Sequence, residues 1–500
     1  MHTRATTEPP PAAGAGDRDL LLDLARERTR AGLERALREA VRGGRLAPGI
    51  RLPSSRVLAR DLGLARNTVA DAYAQLVAEG WLTARQGSGT RVAPLPADRP
   101  ATRSYTPTPA PEPEPTPTPT PTEPREALDL ADLPLGPAGA LPYHLSPGSP
   151  DVSAFPRTAW AAAARRAITA APSSAFGYGD PRGRPELRGA LAGYLGRVRG
   201  VLADPETLVI CTGYVQAVGL LARALHERGG RRVALEALGF PTTRGVLSAA
   251  GLDPVDLPVD GAGADVTALD DRTAAVVLTP AHQFPLGVPL SPERRTWVTA
   301  WARKHDAVVV EDDYDGEFRY DRQPVGALQG LAPDHVVYAG TASKSLAPGL
   351  RLAWLAVPPH LLDDVLRQKR LADHLSPVLD QLTLADFIAS GAYDRHVRRM
   401  RLRYRARRDH LVAALARHAP GVRVSGIAAG LHAVLELPPT AAPLPDLVTR
   451  ARRKGLALSA LPLFGAPPTT PPALVVGYGS PPDHAFPTAV RLLCEVLNQP

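Results

Sequence analysis

Apolar positions recur at helical spacing near the start of the chain and give way to short β-branched runs further on. Leu33, Leu37 and Val41 share one helical face before Gly43-Gly44 and Pro48-Gly49 interrupt, which predicts a helix and an exit turn. Ser54, in Leu52-Pro-Ser-Ser55, is an N-cap for a second helix that carries Val57, Leu58 and Leu62 inward. Gly63 permits a tight bend, and a third helix over about 65–79 sets Val69, Tyr73, Leu76 and Val77 on one face. Trp81-Leu-Thr-Ala84, the turn Gln86-Gly-Ser-Gly89 and Thr90-Arg-Val92 predict a two-stranded wing.

Beyond residue 141 the period changes. Ala274-Ala-Val-Val-Leu278, Ala307-Val-Val-Val310 and Val336-Val-Tyr338 alternate with amphipathic stretches such as 293–304, for which Ser291 supplies a cap and Pro292 a first-turn proline. Such alternation predicts an α/β fold, a mainly parallel sheet wrapped by helices. Between the two regions, from Pro94 to about Pro124, proline and threonine dominate and almost no side chain can build a core. In polyproline II geometry, at about 3.1 Å per residue, roughly 30 residues span roughly 90 Å. The expected division is a disordered N-terminus over 1–19, a helical block with a wing over 20–93, a linker over 94–140 and an α/β domain over 141–500.

Composition adds constraints. A chain of 500 residues exceeds one ordinary domain, and the formal net charge of +8 favours a polyanionic partner. Cys211 and Cys494, the two cysteines, make neither a disulfide framework nor a zinc site, and no metal site is expected. No apolar run approaches the roughly 20 residues of a membrane span, and the polar start MHTRATTEPPPAAGAGD lacks a signal-peptide core. A cytoplasmic protein with no membrane partner is expected.

In the helical block, Arg66, Asn67 and Thr68 fall at the exposed start of the third helix, where a recognition helix meets the major groove. An arginine there can bond a guanine edge bidentately, and hydroxyls and helix-end N–H groups hold phosphates. The run LPSSRVLARDLGLARNTVADAYAQLVAEGW followed by GSGT resembles the GntR-family winged helix-turn-helix. The resemblance implies contacts to double-stranded operator DNA from Arg56, Arg66, Thr68, Gln86, Gly87 and Thr90, beside Asn67.

The sharpest chemical signal is Gly340-Thr-Ala-Ser-Lys344-Ser-Leu-Ala-Pro-Gly-Leu-Arg351, which follows a predicted strand. A lysine that attacks an aldehyde must shed its proton, and a phosphate wants hydroxyls and an arginine nearby; Ser343 and Arg351 supply both. Upstream, Val308-Val-Val-Glu-Asp-Asp-Tyr-Asp315 puts carboxylates and a phenol at the end of an apolar strand, where open α/β sheets bind ligands. Gly177-Tyr-Gly-Asp-Pro-Arg-Gly183, Thr212-Gly-Tyr-Val-Gln216 and His282-Gln-Phe-Pro-Leu-Gly287 accompany them.

In this order the segments resemble fold-type I pyridoxal-phosphate enzymes of the class I aminotransferase group, with a small C-terminal subdomain. Joined to the GntR-like head, they resemble the MocR subfamily of regulators; EDDYDGEFRY and YDRHVRRMRLRYRARRDHL carry that likeness. The resemblance implies pyridoxal 5'-phosphate as cofactor, with Lys344 forming the internal aldimine, Asp312 pairing with the pyridine nitrogen and Tyr314 bonding the 3′ oxygen. Glu311 competes with Asp312, because many aminotransferases space that acid three residues before the tyrosine. Phe240 takes the ring-stacking place, Gly213, Tyr214, Ser343 and Arg351 the phosphate positions, and Tyr178 reaches the phosphate across a dimer interface. A homodimer, head-to-tail, is the family expectation.

The sequence departs from an aminotransferase at the carboxylate clamp. Pro472-Ala-Leu-Val-Val-Gly-Tyr-Gly-Ser480 contains no arginine; Arg453 and Arg491 lie outside it and Arg244 is the cation near Phe240. A bidentate guanidinium is what fixes an amino-acid carboxylate. The expected protein is therefore a transcription regulator whose cofactor, alone or with a small amine or amino-acid effector, modulates operator binding. A working aminotransferase on a DNA tether and a sensor of pyridoxal phosphate that controls cofactor supply are the alternatives.

Overall fold

The computed structural model describes residues 29–42, 46, 49–85, 89–93, 141–320 and 326–498, which fall into two compact units, one before and one after residue 95. The expected disordered start and Pro/Thr linker lie outside the described residues, as do Gln86 and Gly87.

The first unit is three helices, α1 (Arg30–Arg42), α2 (Ser55–Leu62) and α3 (Arg66–Ala78), followed by β1 (Leu82–Arg85) and β2 (Gly89–Val92). Ser54 caps α2 by accepting from the Val57 amide at 3.3 Å, and Gly63 ends it with φ 64°, a left-handed turn that glycine adopts without penalty. Leu33, Leu37, Leu58, Val69, Leu76, Trp81 and Leu82 close the core. Arg38 on α1 donates to both carboxylate oxygens of Glu79 at 2.9 and 2.7 Å, and the Tyr73 hydroxyl donates to the Pro53 carbonyl at 2.9 Å. These long-range bonds brace the end of α3 and the turn before α2. The strands pair antiparallel, Leu82 opposite Val92.

The second unit is built on a seven-stranded sheet. Its strands are β3 (Leu208–Cys211), β4 (Arg232–Glu236), β5 (Asp253–Leu257), β6 (Thr273–Leu278), β7 (Val308–Asp312), β8 (Val336–Thr341) and β9 (Ala353–Ala356), in the order β3-β9-β8-β7-β6-β4-β5. β9 runs antiparallel to both neighbours and the other contacts are parallel. The central strands are apolar on both faces, as a sheet covered by helices on both sides requires. One face packs Val218, Leu221 and Leu225 of helix α4 (Tyr214–Glu227) against Val277, Val310 and Leu355; the other packs Leu187, Leu191 and Phe387 against Ile210, Tyr338 and Trp354. Helices α5 (Pro241–Ala249) and α6 (Pro292–His305) follow β4 and β6, and Ser291 caps α6 at the Arg294 amide.

A 27-residue helix, α7 (Ala392–His418), leads to a smaller layer. There β10 (Arg423–Ser425), β11 (His432–Glu436), β12 (Ser459–Ala460) and β13 (Ala473–Gly477) form an antiparallel sheet ordered β10-β11-β13-β12, covered by α8 (Phe486–Asn498).

The acidic end of β7 needs partners wherever it is buried. Asp313 accepts from Arg199 at 2.6 and 3.0 Å and from the Tyr338 hydroxyl at 2.7 Å, with both charged side chains 2% exposed. Removing one member of a buried pair leaves an uncompensated charge at a cost of about 3–5 kcal/mol. Asp313→Ala is therefore expected to lower the denaturant midpoint of the large unit by that order, and a change under about 1 kcal/mol in urea melts would show the pair to be solvated instead.

Candidate functional site

Successive residues of a strand point to opposite faces, and this alternation separates the acids at the end of β7. Glu311 turns away from the cavity and accepts the amides of Leu328 and Gln329, both at 2.8 Å. Asp312 turns toward it. The cavity, about 250 Å³, lies at the carboxyl ends of β4, β6 and β7 and is bounded by the loop after β8. Of the two rival acids, Asp312 lines it and Glu311 does not.

Lys344 reaches the same cavity, its Nζ donating to the Gly148 carbonyl. Burial pushes its pKa below 10.5, against the opposing pull of the Asp312 and Asp315 carboxylates. Burial also raises the Asp312 carboxyl to about 8, while a hydrogen bond from the Tyr214 hydroxyl and the nearby Lys344 act the other way. Tyr214, expected at the phosphate, instead places its phenol between Thr243 and Asp312.

At that start Gly213 adopts φ 100°, and a Cβ there would collide with the Arg351 guanidinium. Arg351 is itself in the left-handed region, φ 51°, and donates through Nη2 to the Thr212 carbonyl at 2.8 Å. The loop after Lys344 is thereby folded back onto the α4 N-terminus, bringing a guanidinium, Ser343 and helix-end amides to one end of the cavity. That donor set suits a phosphate. Ser343 is oriented by Thr341, whose Oγ1 lies 2.9 Å from the Ser343 hydroxyl and accepts the Ser343 amide at 3.1 Å.

Phe240, at the N-cap of α5, lines the cavity with Phe284 and Phe464. Tyr314 lines it as well, its hydroxyl donating to the His282 carbonyl at 3.0 Å with His282 Nδ1 at 3.1 Å. Asp315 meets the same nitrogen at 2.8 Å. His432 stands beside His282, its Nε2 3.0 Å from the Pro285 carbonyl, and burial lowers its pKa to about 4, so it is neutral. His282, Asp315 and His432 are close enough to share an ion, but these hydrogen bonds already account for the cluster as a brace behind Tyr314. Sequence reasoning singled out the His282 segment and the acidic run ending at Asp315 without this role; His432 carries no local signal, because its partners lie far away in the chain.

Tyr178 is not among the residues around the cavity. It is 92% exposed, edge-on to the His374 ring. The one guanidinium among the described residues lining the cavity is Arg351. Arg244 instead turns to Asp256 and the Pro254 carbonyl, Arg491 to Glu495, and Arg453 is exposed.

In the first unit Arg56, Arg66 and Asn67 are exposed and Thr68 and Thr90 half-buried. Ala65 at the N-cap of α3 supplies no side-chain acceptor, so the first amides of that helix have no side-chain cap from it.

Residues 144–459 match the family described as aminotransferase class I and II, and residues 29–92 match the bacterial regulatory proteins of the gntR family. The chain is 36% identical to the probable rhizopine catabolism regulatory protein MocR of Rhizobium meliloti over 80% of its own length and 79% of that protein. It is 32% identical to the HTH-type pyridoxine biosynthesis transcriptional regulator PdxR of Corynebacterium glutamicum, over 93% and 94%. Among solved structures, an archaeal alanine:glyoxylate aminotransferase superimposes with a TM-score of 0.65 at 26% identity, covering 71% of this chain and 90% of that one. Pyrococcus horikoshii kynurenine aminotransferase gives 0.64 at 25%, over 72% and 91%.

The raised Asp312 pKa carries a sign. Its carboxyl keeps a proton in the folded state up to about pH 8 that the unfolded chain releases near its ordinary value of 3.8. Stability from this group is full below pH 3.8 and is lost as pH rises toward 8. Asp312→Asn is expected to flatten the fall of melting temperature between pH 5 and 8, and parallel curves for both proteins would refute the assignment.

Proposed function

The chain belongs to the MocR type of gntR-family regulators, a winged helix-turn-helix joined to an aminotransferase class I and II domain, and from that premise we propose that it binds pyridoxal 5'-phosphate in the cavity around Lys344 and that this occupancy modulates its grip on an operator. The observation that carries the proposal is the donor set: a lysine of lowered pKa, a half-buried acid beside it, and an arginine packed on a glycine at a helix N-terminus. The residues fit the group. When bound, pyridoxal phosphate supplies an aldehyde that condenses with an amine and a ring that accepts electrons.

In this reading Lys344 is the amine, kept reactive by burial. Asp312 takes the ring nitrogen, Tyr314 the 3′ oxygen, and Phe240 a ring face. Gly213, the Tyr214 backbone, Ser343 and Arg351 hold the phosphate. The exposed Tyr178 is free to complete a second copy's site, which favours a homodimer, head-to-tail in the family's manner. Arg56, Arg66, Asn67, Thr68 and Thr90, with Gln86 and Gly87 of the wing, meet the DNA. A ligand shifts such a protein only through unequal affinity for its two states.

A second reading concerns the effector. With Arg351 assigned to phosphate, no other described cavity residue offers a guanidinium for an amino-acid carboxylate. That favours the cofactor itself, or an amine ligand, over transamination, and the likeness to a regulator of pyridoxine biosynthesis points the same way.

Lys344 attacks only when deprotonated, so cofactor capture is expected to speed up as pH rises, with a midpoint below 10.5. Asp312→Asn should move that midpoint further down, because a carboxylate that favours the charged lysine is gone. Stopped-flow absorbance at a pH series measures both; Lys344→Ala should abolish the absorbance change, and its persistence would move the site elsewhere. Operator binding followed by anisotropy is expected to change with cofactor, and to weaken about 5- to 150-fold in Arg66→Ala, the equivalent of roughly 1–3 kcal/mol. Identical titrations with and without cofactor would sink the coupling. Release of a keto acid from added amino acids would establish the aminotransferase.

A further inference from the structure

The helical period sorts the arginines of α7, up to Arg407, into two groups. On the inner side Arg401 donates to the Glu317 carbonyl at 2.8 Å, and Arg403 and Arg407 share Asp151 and Asp483. These hold the long helix to the unit. On the opposite side Arg395, Arg398 and Arg399 are exposed, and Leu402 and Arg405 extend the stripe at helical spacing. Arg395 donates to the Ser390 carbonyl at 3.3 Å and Arg399 lies 3.0 Å from His396 Nδ1, a ring that burial keeps neutral with a pKa of about 4. Among the described residues neither has a carboxylate partner, nor does Arg398; Arg405 reaches Asp409 at 4.0 Å.

Like charges at this spacing destabilise a helix, so the stripe works against folding by itself. From Arg395 to Arg405 it runs about 15 Å at 1.5 Å per residue. Duplex DNA presents a charge about every 1.7 Å of its axis, and a guanidinium forks onto phosphate oxygens. We propose that this face of α7 is a second, sequence-independent DNA contact, taking the sugar-phosphate backbone beside the operator. DNA is the polyanion favoured because the same chain carries a gntR-type head that brings it there. The proposal goes beyond the cofactor reading and does not depend on it.

The test uses the full-length protein, cofactor present, on a duplex with long flanks, with affinity measured across a salt series. Neutralising all three arginines (R395Q, R398Q and R399Q together) is expected to reduce the slope of log K against log salt by about 2–3, since each phosphate contact contributes about 0.9. Trimming the duplex to the operator should erase the difference. An Arg→Lys version of the triple change should keep the slope. If the triple variant loses its helical circular-dichroism signal, the three single variants decide, each lowering the slope by about 0.9. Equal slopes and affinities on the long duplex overturn the proposal, whether the face is simply solvated or receives an acidic protein. Loss of operator binding by the wild type would instead overturn the regulator reading.

Discussion

Burying a carboxylate costs several kcal/mol unless something pairs with it, and the chain puts four of them within five residues, Glu311, Asp312, Asp313 and Asp315. The large unit can be seen as the set of answers to that constraint. Two backbone amides hold Glu311, Arg199 and Tyr338 hold Asp313, and His282 holds Asp315. Three acids so satisfied tie β7 to a neighbouring turn, to the helix Pro185–Arg199 and to the loop after β6. The fourth, Asp312, faces Tyr214 and Lys344 across the cavity, which leaves it as the acid available to a ligand.

The same economy shapes the cavity's electrostatics. Lys344 and Asp312 are each driven toward their neutral forms by burial. A neutral amine is the nucleophile an aldehyde needs, and a positively charged ring nitrogen would restore the carboxylate, so a ligand bearing both features relieves two penalties at once. At the other end of the cavity the charge is fixed rather than poised. Arg351 is held in a left-handed conformation and laid on Gly213, where any side chain would displace it. One end of the cavity therefore carries a fixed charge and the other two groups pushed toward neutrality.

The head follows a simpler plan. Its core side chains alternate at helical spacing, and two long-range hydrogen-bond sets, Arg38 with Glu79 and Tyr73 with Pro53, brace the start of α2 and the end of α3. The start of α3 then presents Arg66 and Asn67 to solvent, with Thr68 half-buried.

Much of this was legible in the chain before any coordinates. Local signals travel with the residues that make them: the Ser54 cap, the Gly63 bend, the apolar periods of α1 to α3, the Ser291-Pro292 start of α6, and a lysine set among small residues after a strand. Which of Glu311 and Asp312 lines the cavity could not be read there, because it depends on which face of β7 meets the cavity, and the packing of β7 between β6 and β8 fixes that. Tyr214 reaching Asp312, the His282–Asp315 brace behind Tyr314, the turning of Arg244 toward Asp256, and the division of α7 into inner and outer arginines are of the same kind. Each is a pairing between residues far apart in the chain, and a charge can be assigned a partner only once the fold has brought one within reach.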